Sequence, residues 1–352
     1  MRSMNDRRSS FVPLLISLGI VQGLIAGEIL LRILGIGYGS SPLESHPILH
    51  HVHPKDYLFK VHAPSGDFGG HMVRYDADGL VVDPEGPSGP EKQRPRQRVA
   101  LMGDSFVEAI QVPYKDSFCG ILSRAAKEGV EVRNYGCSSY SPILYVLQWK
   151  AAVEPYHPTH VFLLLNSTDI RDDEGYARKA VYGKDGIAAV PGPGNDGWMK
   201  LLRKSYLARM IRKVILELDW FLKHGQPGYR DAAGDFVEED LPIAERTAEN
   251  VLRLHRAASA SGARLIVSAV PSRSLLTQDG RKRSGPDFSG RWEAWCKANS
   301  VEFLDLRNAL SAAAEKGAVL TLGHDIHLSK DGHRLVARAV RNQFPDLFEA
   351  AP

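Results

Sequence analysis

Short apolar runs alternate with helix-like segments over most of the chain after residue 98. This alternation is typical of strands in a parallel sheet that is covered by helices on both faces. The runs fall at residues 99–102, 130–135, 161–165, 265–270 and 301–306. Helical periodicity predicts helices near residues 116–128, 143–153, 243–261 and 331–342. The pattern therefore predicts an α/β fold in which five parallel strands lie between two layers of helices.

An uncharged, mostly apolar run occupies residues 11–27 and continues beyond Glu28 to residue 34. As a helix it reaches about 36 Å with its last turns, enough to cross a hydrocarbon core of about 30 Å. Glu28 and Arg32 share one face of this helix and are expected to pair near the far interface. Basic residues precede the run at Arg2, Arg7 and Arg8, and none follows Arg32 before Lys55. This asymmetry predicts a single-pass anchor in the cytoplasmic membrane, with the rest of the chain on the periplasmic or extracellular side.

A cleaved signal peptide is the alternative interpretation of this run. Cleavage needs small residues at the cleavage site, and the span up to Glu28 offers no clean Ala-x-Ala site. Gly35 and Gly37 are the small residues that could take its place. We expect an anchor, and under either interpretation the globular part is exported.

Changes in composition divide the chain. Residues 1–10 are expected to be cytoplasmic, 11–35 to form the transmembrane helix, and 36–97 to form a stalk with peripheral strands. Residues 98–347 form the main domain, with an insertion at about 171–242. Within the insertion, the basic amphipathic segment 198–223 either lies on an anionic membrane surface or packs over the domain. We expect packing, because it is the usual fate of an apolar stripe.

Composition narrows the class of protein without indicating a partner. Hydrophobic residues at 43% and charged residues at 24% indicate a folded chain. The net charge of +3 gives no reason to expect nucleic acid as a partner. Cys119, Cys137 and Cys296 are too few and too widely spaced for a disulfide scaffold or a zinc site, and at most one bridge is expected. We expect no metal and no cofactor, and the sequence leaves the oligomeric state open.

Candidate chemistry begins at the end of the first predicted strand. Ser105 follows that strand in a Gly-Asp-Ser turn, at the edge where open α/β sheets bind ligands. A serine is a useful nucleophile only when a base takes its proton and a carboxylate fixes that base. Asp325 and His327 supply both groups on one loop before the last predicted helix.

In this combination the chain resembles the SGNH/GDSL hydrolase family. The matching segments are Gly103-Asp104-Ser105, Asn134-Tyr135-Gly136, Asn166-Ser167-Thr168-Asp169 and Asp325-Ile326-His327. The resemblance covers about residues 99–344 and implies a flavodoxin-like three-layer α/β/α fold. The anchor, with Glu28 and Arg32 near its end, is similar to that of a bacterial membrane-anchored branch of the family.

The resemblance also implies a role for each matching residue. Ser105 is the expected nucleophile toward an ester carbonyl, His327 the base that accepts its proton, and Asp325 the carboxylate that orients His327. The backbone N–H groups of Ser105 and Gly136 are the expected donors to the oxyanion.

Two positions depart from the family's pattern. Thr168 stands where an Asn side chain usually donates to the oxyanion, so Thr168 or a re-aimed Asn166 is expected to replace it. Asp325 and His327 are separated by one residue, where many relatives have two. A separation of one residue also occurs in related membrane-linked chains.

Neighbouring residues of similar chemistry have structural explanations. Asp104 is expected to bond backbone N–H groups in its turn, and Asp169 to hold its loop. Ser329 fits the N-cap of the last helix. Cys137 is expected to be a small buried hydrophobe and His333 a residue of the helix start.

The expected activity is hydrolysis of a carboxylic ester through an acyl-enzyme on Ser105. The expected substrate is an acetyl ester of a cell-envelope glycan or exopolysaccharide, or an acylated small molecule. One alternative is a polysaccharide O-acetyltransferase, in which the same acyl-enzyme passes its acyl group to a sugar hydroxyl. Another is a catalytically weak glycan-binding assembly component, which the departure at Thr168 also fits.

Overall fold

The computed structural model describes the chain in several stretches. They are residues 4–34, 41–62, 68–86, 95–184, 186–194, 197, 202, 205–224, 242–272, 276, 287–322 and 326–349. Asp325 lies outside the described residues, as do most of residues 198–204.

Most strands before residue 104 follow one another directly, and strands and helices alternate over most of the chain after it. The strands are β1 (Glu44–His46), β2 (His50–Val52), β3 (Tyr57–His62), β4 (Gly69–Tyr75), β5 (Val81–Val82), β6 (Gln97–Gly103), β7 (Val130–Asn134), β8 (His160–Leu165), β9 (Val181–Gly183), β10 (Gly186–Ala189), β11 (Arg264–Ala269) and β12 (Glu302–Phe303). The helices are α1 (Met4–Leu34), α2 (Ser105–Glu108), α3 (Phe118–Ala125), α4 (Pro142–Gln148), α5 (Thr168–Ala177), α6 (Tyr206–His224), α7 (Glu245–Ala260), α8 (Phe288–Ala298), α9 (Arg307–Glu315) and α10 (Lys330–Gln343).

One five-stranded sheet forms the centre of the fold, in the order β12-β11-β8-β6-β7. All neighbouring strands in it are parallel. Numbered along the chain, these strands have the 2-1-3-4-5 order of flavodoxin-like folds. The predicted α/β fold with five parallel strands is therefore confirmed. The last strand is shorter than predicted, because only Glu302 and Phe303 pair with β11.

Burial on both faces explains why the central strands are almost continuously apolar. In β6, Ala100 and Met102 belong to one hydrophobic cluster, and Val99 and Leu101 belong to the other. Residues of α4, α7 and α8 complete the first cluster, and residues of α3, α9 and α10 complete the second. The helices thus cover both faces, and the loops at the carboxyl edge of the sheet are left to form a site.

A small antiparallel sheet packs beside the start of the main domain. Its strands lie in the order β3-β4-β5. Val73, Tyr75 and Val81 of this sheet form a third hydrophobic cluster with Ile110, which lies shortly after α2. The peripheral strands expected from the sequence therefore contact the segment that carries Ser105.

Helix α6 contains the described part of the amphipathic segment, and its packing differs from the sequence expectation. We expected its apolar stripe to pack over the domain. Instead, Val214 and Leu218 of this stripe are exposed at 57% and 55%. The apolar face of α6 is therefore not used to bury the described surface of the domain.

His333 lies in the first turn of α10 and is almost completely buried. It is 1% exposed, neither ring nitrogen has a hydrogen-bond partner among the described residues, and its ring stacks on that of Phe118 at 5.8 Å. Burial lowers the pKa of His333 to about 3. The ring is therefore neutral in the folded chain, whereas in the unfolded chain it becomes protonated below about pH 6.5. The contribution of neutral His333 to the free energy of unfolding is therefore at its full value above about pH 6.5. It is lost as the pH falls toward about 3.

We expect acidification from about pH 7 to about pH 5 to lower the free energy of unfolding by about 2 kcal/mol through His333. In the His333→Leu variant this part of the pH dependence should be absent, because leucine does not bind a proton. Urea unfolding of both full-length proteins in detergent, at each pH, measures the difference. An equal loss of stability in the two proteins would contradict the assignment to His333.

Candidate active site

Ser105 lies where β6 ends and α2 begins. Gly103 is needed before it, because a Cβ at that position would lie 2.2 Å from Val107 Cγ2. As expected, Asp104 caps the short helix: its Oδ1 accepts the backbone N–H of Phe106 at 3.0 Å. The turn places Ser105 at the carboxyl end of a central strand.

His327 reaches Ser105 from the loop before α10. Nε2 of His327 and Oγ of Ser105 are 2.7 Å apart, although the residues are 222 positions apart in the sequence. The backbone N–H of Leu322 donates to the His327 carbonyl at 3.0 Å, and the His327 ring lies 5.0 Å from the ring of Phe106. The distance between Nε2 and Oγ suits transfer of the serine proton to the imidazole, which is the step that makes the serine nucleophilic.

Asp104 also connects the nucleophile turn, formed by residues 103–105, to the loop after β8. Its Oδ2 accepts a hydrogen bond from Asn166 Nδ2 at 2.5 Å and lies 3.4 Å from Ser105 Oγ. Thr168 donates both its hydroxyl, at 2.7 Å, and its backbone N–H, at 2.8 Å, to Asn166 Oδ1. The single hydroxyl proton of Thr168 is thus already used, whereas the amide of Asn166 has a second N–H in addition to the one given to Asp104.

Two buried carboxyl groups lie next to this network. Burial raises the pKa of Asp104, against the lowering effects of the Phe106 N–H and of His327. Burial, together with the nearby Asp104, raises the pKa of Asp169 well above its usual value. Asp169 accepts the backbone N–H of Asn166 at 3.0 Å and the hydroxyl of Tyr145 at 3.1 Å, so it holds its loop as expected.

Gly136 packs against the backbone of α2. A Cβ on Gly136 would lie 2.2 Å from the backbone nitrogen of Glu108. The backbone N–H of Gly136 donates to Asn134 Oδ1 at 2.8 Å, and Asn134 Nδ2 donates to the Val107 carbonyl at 2.9 Å. Close packing therefore requires the glycine. To donate to an oxyanion, the Gly136 N–H would have to give up its hydrogen bond to Asn134. The predicted role of Gly136 as an oxyanion donor therefore stays a prediction.

Glu108 is a buried residue that the sequence analysis missed. It is 1% exposed and accepts hydrogen bonds from His53 Nε2 at 3.0 Å, the Tyr75 hydroxyl at 3.1 Å and the Ser138 N–H at 2.9 Å. The hydroxyl groups of Ser41 and Ser138 also donate to it. The small N-terminal sheet and the loop after β7 are thereby joined to the helix that begins at Ser105. A single carboxylate inside the apolar run 106–110 was the sequence signal for such a role.

The charges of Glu108 and His53 stabilise one another. Burial alone would raise the pKa of Glu108, but His53 and the other donors hold it below its usual value. Burial alone would lower the pKa of His53, but Cys137 and Glu108 raise it well above its usual value. The pair is therefore a buried ion pair at neutral pH.

The other candidates in the described part of the chain have structural surroundings of their own. Cys119, Cys137 and Cys296 are all free and buried, and burial raises the pKa of the Cys137 thiol. Within the described ranges, no group of three or more His, Cys, Asp or Glu side chains is arranged to hold a metal ion. Ser329 caps α10, accepting the Gly332 N–H at 3.2 Å, as expected.

The doubly wound sheet and the hydrogen-bonded serine and histidine at its carboxyl edge define a serine hydrolase. The family model described as "GDSL-like Lipase/Acylhydrolase family" matches residues 101–335. The chain belongs to this family, as its resemblance to SGNH/GDSL hydrolases implied.

Several solved structures resemble this chain at low sequence identity. A member of the lipolytic G-D-S-L family from Veillonella parvula is 16% identical, with a TM-score of 0.40 over 71% of this chain and 100% of that chain. A putative lipolytic protein of the same family from Desulfitobacterium hafniense is 14% identical, with a TM-score of 0.40 over 70% and 99%. A catalytic mutant of an acetylxylan esterase from Geobacillus stearothermophilus is 13% identical, with a TM-score of 0.42 over 72% and 96%. No curated protein matches the sequence.

We expect Asn166→Ala to lower kcat by about a hundredfold or more, because it removes the side-chain N–H available to an oxyanion. Thr168→Val should lower kcat by less, because the Thr168 hydroxyl donates its proton to Asn166 and not to the substrate. Steady-state hydrolysis of p-nitrophenyl acetate measures both, and thermal unfolding identifies any loss of folded protein. A larger loss of kcat in Thr168→Val than in Asn166→Ala would instead assign the donor role to Thr168.

Proposed function

We propose that the protein is a membrane-anchored serine esterase that hydrolyses acetyl esters on a hydroxyl-rich substrate, such as a cell-envelope glycan. The observation that carries the proposal is the 2.7 Å contact between Ser105 Oγ and His327 Nε2. The family of the chain supports acyl hydrolysis as the type of reaction.

In this mechanism Ser105 Oγ attacks the ester carbonyl carbon while its proton moves to His327 Nε2. The tetrahedral intermediate collapses when His327 returns that proton to the leaving alcohol, which leaves an acyl group on Ser105. Water then attacks the acyl carbon while His327 accepts one of its protons, and His327 passes this proton to Ser105 Oγ as the acyl–Oγ bond breaks and the acid leaves. Asp325 orients the imidazole in this proposal, and Asn166 and the Ser105 N–H donate to the oxyanion.

The N-terminal helix supports an attachment to a membrane. Val12–Leu34 forms a helical span of 23 residues that is long and apolar enough to cross a bilayer. Basic residues precede it in the sequence, so we place the catalytic domain on the periplasmic or extracellular side of the cytoplasmic membrane.

A groove beside the His327 loop supports a hydroxyl-bearing substrate. Its volume is about 610 Å³, and its lining includes Gln111, Leu322, Ser329 and Arg334. Leu322 bonds to the His327 carbonyl, so the groove and the catalytic histidine share one loop. Gln111 is 7% exposed, and its Oε1 has no hydrogen-bond partner among the described residues. Ser329 and Arg334 add a hydroxyl and a guanidinium group to the lining, and both kinds of group form hydrogen bonds with sugar hydroxyls.

The test is to give the purified full-length protein an acetylated oligosaccharide and follow the products by mass spectrometry. We expect free acetate and a product lighter by one acetyl group, and no reaction with Ser105→Ala. If an unacetylated oligosaccharide is added and gains the acetyl group in place of acetate release, the protein is an O-acetyltransferase. If neither product forms from any acetyl ester, the esterase proposal is wrong.

A further inference from the structure

Helix α6 begins against the end of the apolar span. The carboxylate of Glu28 accepts hydrogen bonds from the Ser205 hydroxyl at 2.8 Å and from the backbone N–H groups of Tyr206 at 3.1 Å and Leu207 at 2.9 Å. The Arg32 guanidinium lies 4.8 Å from the centre of the Tyr206 ring. Glu28 also pairs with Arg32 at 2.7 Å, as predicted. The first turn of α6 is therefore fixed to the penultimate turns of α1.

The contact between the two helices is confined to that region. In the described part of the span, Gly27, Glu28 and Leu31 are partly covered, and the other residues are exposed. A Cβ on Gly27 would lie 3.6 Å from Leu207 Cδ2, an ordinary packing distance, so Leu207 packs beside this turn of α1. Away from this crossing, the described residues of α1 and of the later turns of α6 are exposed and do not cover one another.

The rest of α6 presents an uncovered apolar face. Residues Ile211, Val214, Ile215, Leu218, Phe221 and Leu222 are between 46% and 75% exposed. They recur at intervals of three and four residues and so share a face with Leu207, which touches α1. The face that meets the membrane span at one end thus continues as an exposed apolar surface.

The depth of the crossing agrees with a position at the membrane interface. Glu28 lies about 9 Å along the helix axis from the end of the span at Leu34. Helices that lie in the interface bury their apolar face by about 5–10 Å. A helix that starts at Glu28 and diverges from the span would therefore lie at the boundary between headgroups and acyl chains.

The charge of α6 agrees with an anionic lipid surface. Its sequence contains Arg209, Arg212, Lys213 and Lys223 against Glu217 and Asp219. A net positive amphipathic helix gains both from apolar burial and from attraction to anionic headgroups. By contrast, pairing of α6 with the same helix of a second copy would bring two positively charged helices together.

The catalytic domain also begins close to the membrane. Residues 35–40 separate α1 from Ser41, which bonds to Glu108 beside the nucleophile turn. A segment of that length spans at most about 25 Å. The domain and α6 are thus both held near the end of the same span.

We propose that α6 is an interfacial membrane helix that lies on the bilayer spanned by α1. Its exposed apolar face, from Ile211 to Leu222, would lie at the boundary between headgroups and acyl chains. This rests on the proposed role of α1 as an anchor. In this position α6 would be a second attachment, which would restrict rotation of the catalytic domain about α1 and favour substrates presented near the membrane surface.

The test uses the full-length protein in nanodiscs that contain phosphatidylethanolamine and phosphatidylglycerol. An environment-sensitive NBD fluorophore is attached to Leu218→Cys, and to Arg212→Cys as the matched control away from the apolar face. The native cysteines are buried, so labelling is directed to the new thiol. Nitroxide-labelled lipid should quench the probe at position 218 at least about threefold more than the probe at 212, and iodide should show the opposite order.

Three results would overturn the proposal. Equal iodide quenching at both positions, without lipid quenching, would place α6 in water. Protection of position 218 from both quenchers would show that protein covers the face. Failure of the intact chain to enter nanodiscs, seen by size-exclusion chromatography, would remove the anchor itself. Hydrolysis of p-nitrophenyl acetate, measured on the same samples, reports the esterase proposal separately.

Discussion

Ser105→Ala is expected to lower kcat/KM for p-nitrophenyl acetate by about 10⁴-fold or more. The variant loses the hydroxyl oxygen that lies 2.7 Å from His327 Nε2, so no acyl-enzyme can form on residue 105. The remaining oxyanion donors would leave at most a small acceleration over the uncatalysed reaction. A fluorophosphonate probe, which reacts covalently with an activated serine, should label the wild type and leave Ser105→Ala unlabelled.

The matched control is Ser259→Ala, on the exposed side of α7. It should keep wild-type hydrolysis and labelling, because Ser259 lies on the solvent side of a covering helix. Wild-type protein that is neither labelled nor active would favour the glycan-binding alternative. Persistent labelling of Ser105→Ala would identify a different nucleophile.

Glu108→Ala is expected to lower the free energy of unfolding by about 3–5 kcal/mol. The substitution leaves the buried His53 charge without its partner, and it removes the acceptor for the Tyr75 hydroxyl and the Ser138 N–H. Both side chains of the ion pair are almost fully buried, at 3% and 0% exposure, so solvent would not replace the lost contacts. Urea unfolding of the full-length protein in detergent measures the change.

Glu249→Ala provides the control for removal of an acidic side chain. Glu249 pairs with Arg253 at 2.6 Å on the surface of α7, where the side chain of Glu249 is 54% exposed. Solvent screens such a pair, and we expect a loss of about 0.5 kcal/mol. Similar losses for the two variants would show that the Glu108 network does not stabilise the fold.

The Glu108 network also joins the stability of the fold to the position of the nucleophile. Glu108 ends the helix that Ser105 begins, and its donors come from the N-terminal sheet and from the loop after β7. A milder substitution, such as Glu108→Gln, would therefore be expected to affect kcat as well as unfolding. The sequence distance between Ser41 and Glu108 hid this connection, since only folding brings the two residues together.

Local sequence determined much of the architecture. The apolar strands, the turn at Gly103 and the cap at Asp104 depend mainly on residues that are neighbours in the sequence. Local sequence patterns could therefore predict them. The predicted pair of Glu28 and Arg32 likewise depends only on the spacing of a helix. The nucleophile and its base were found through short motifs at predicted strand and helix ends.

Tertiary structure decided which groups meet. It brought His327 to Ser105, the Asn166 amide to Asp104, and the Ser138 N–H to Glu108. It also left the apolar face of α6 exposed beside α1 rather than packed on the domain. Pattern and propensity act over one or two turns of chain, whereas hydrogen-bond partners and burial depend on contacts between residues far apart in sequence. For that reason the sequence alone determined the fold class and the candidate nucleophile, and the folded chain determined the partners of each polar group.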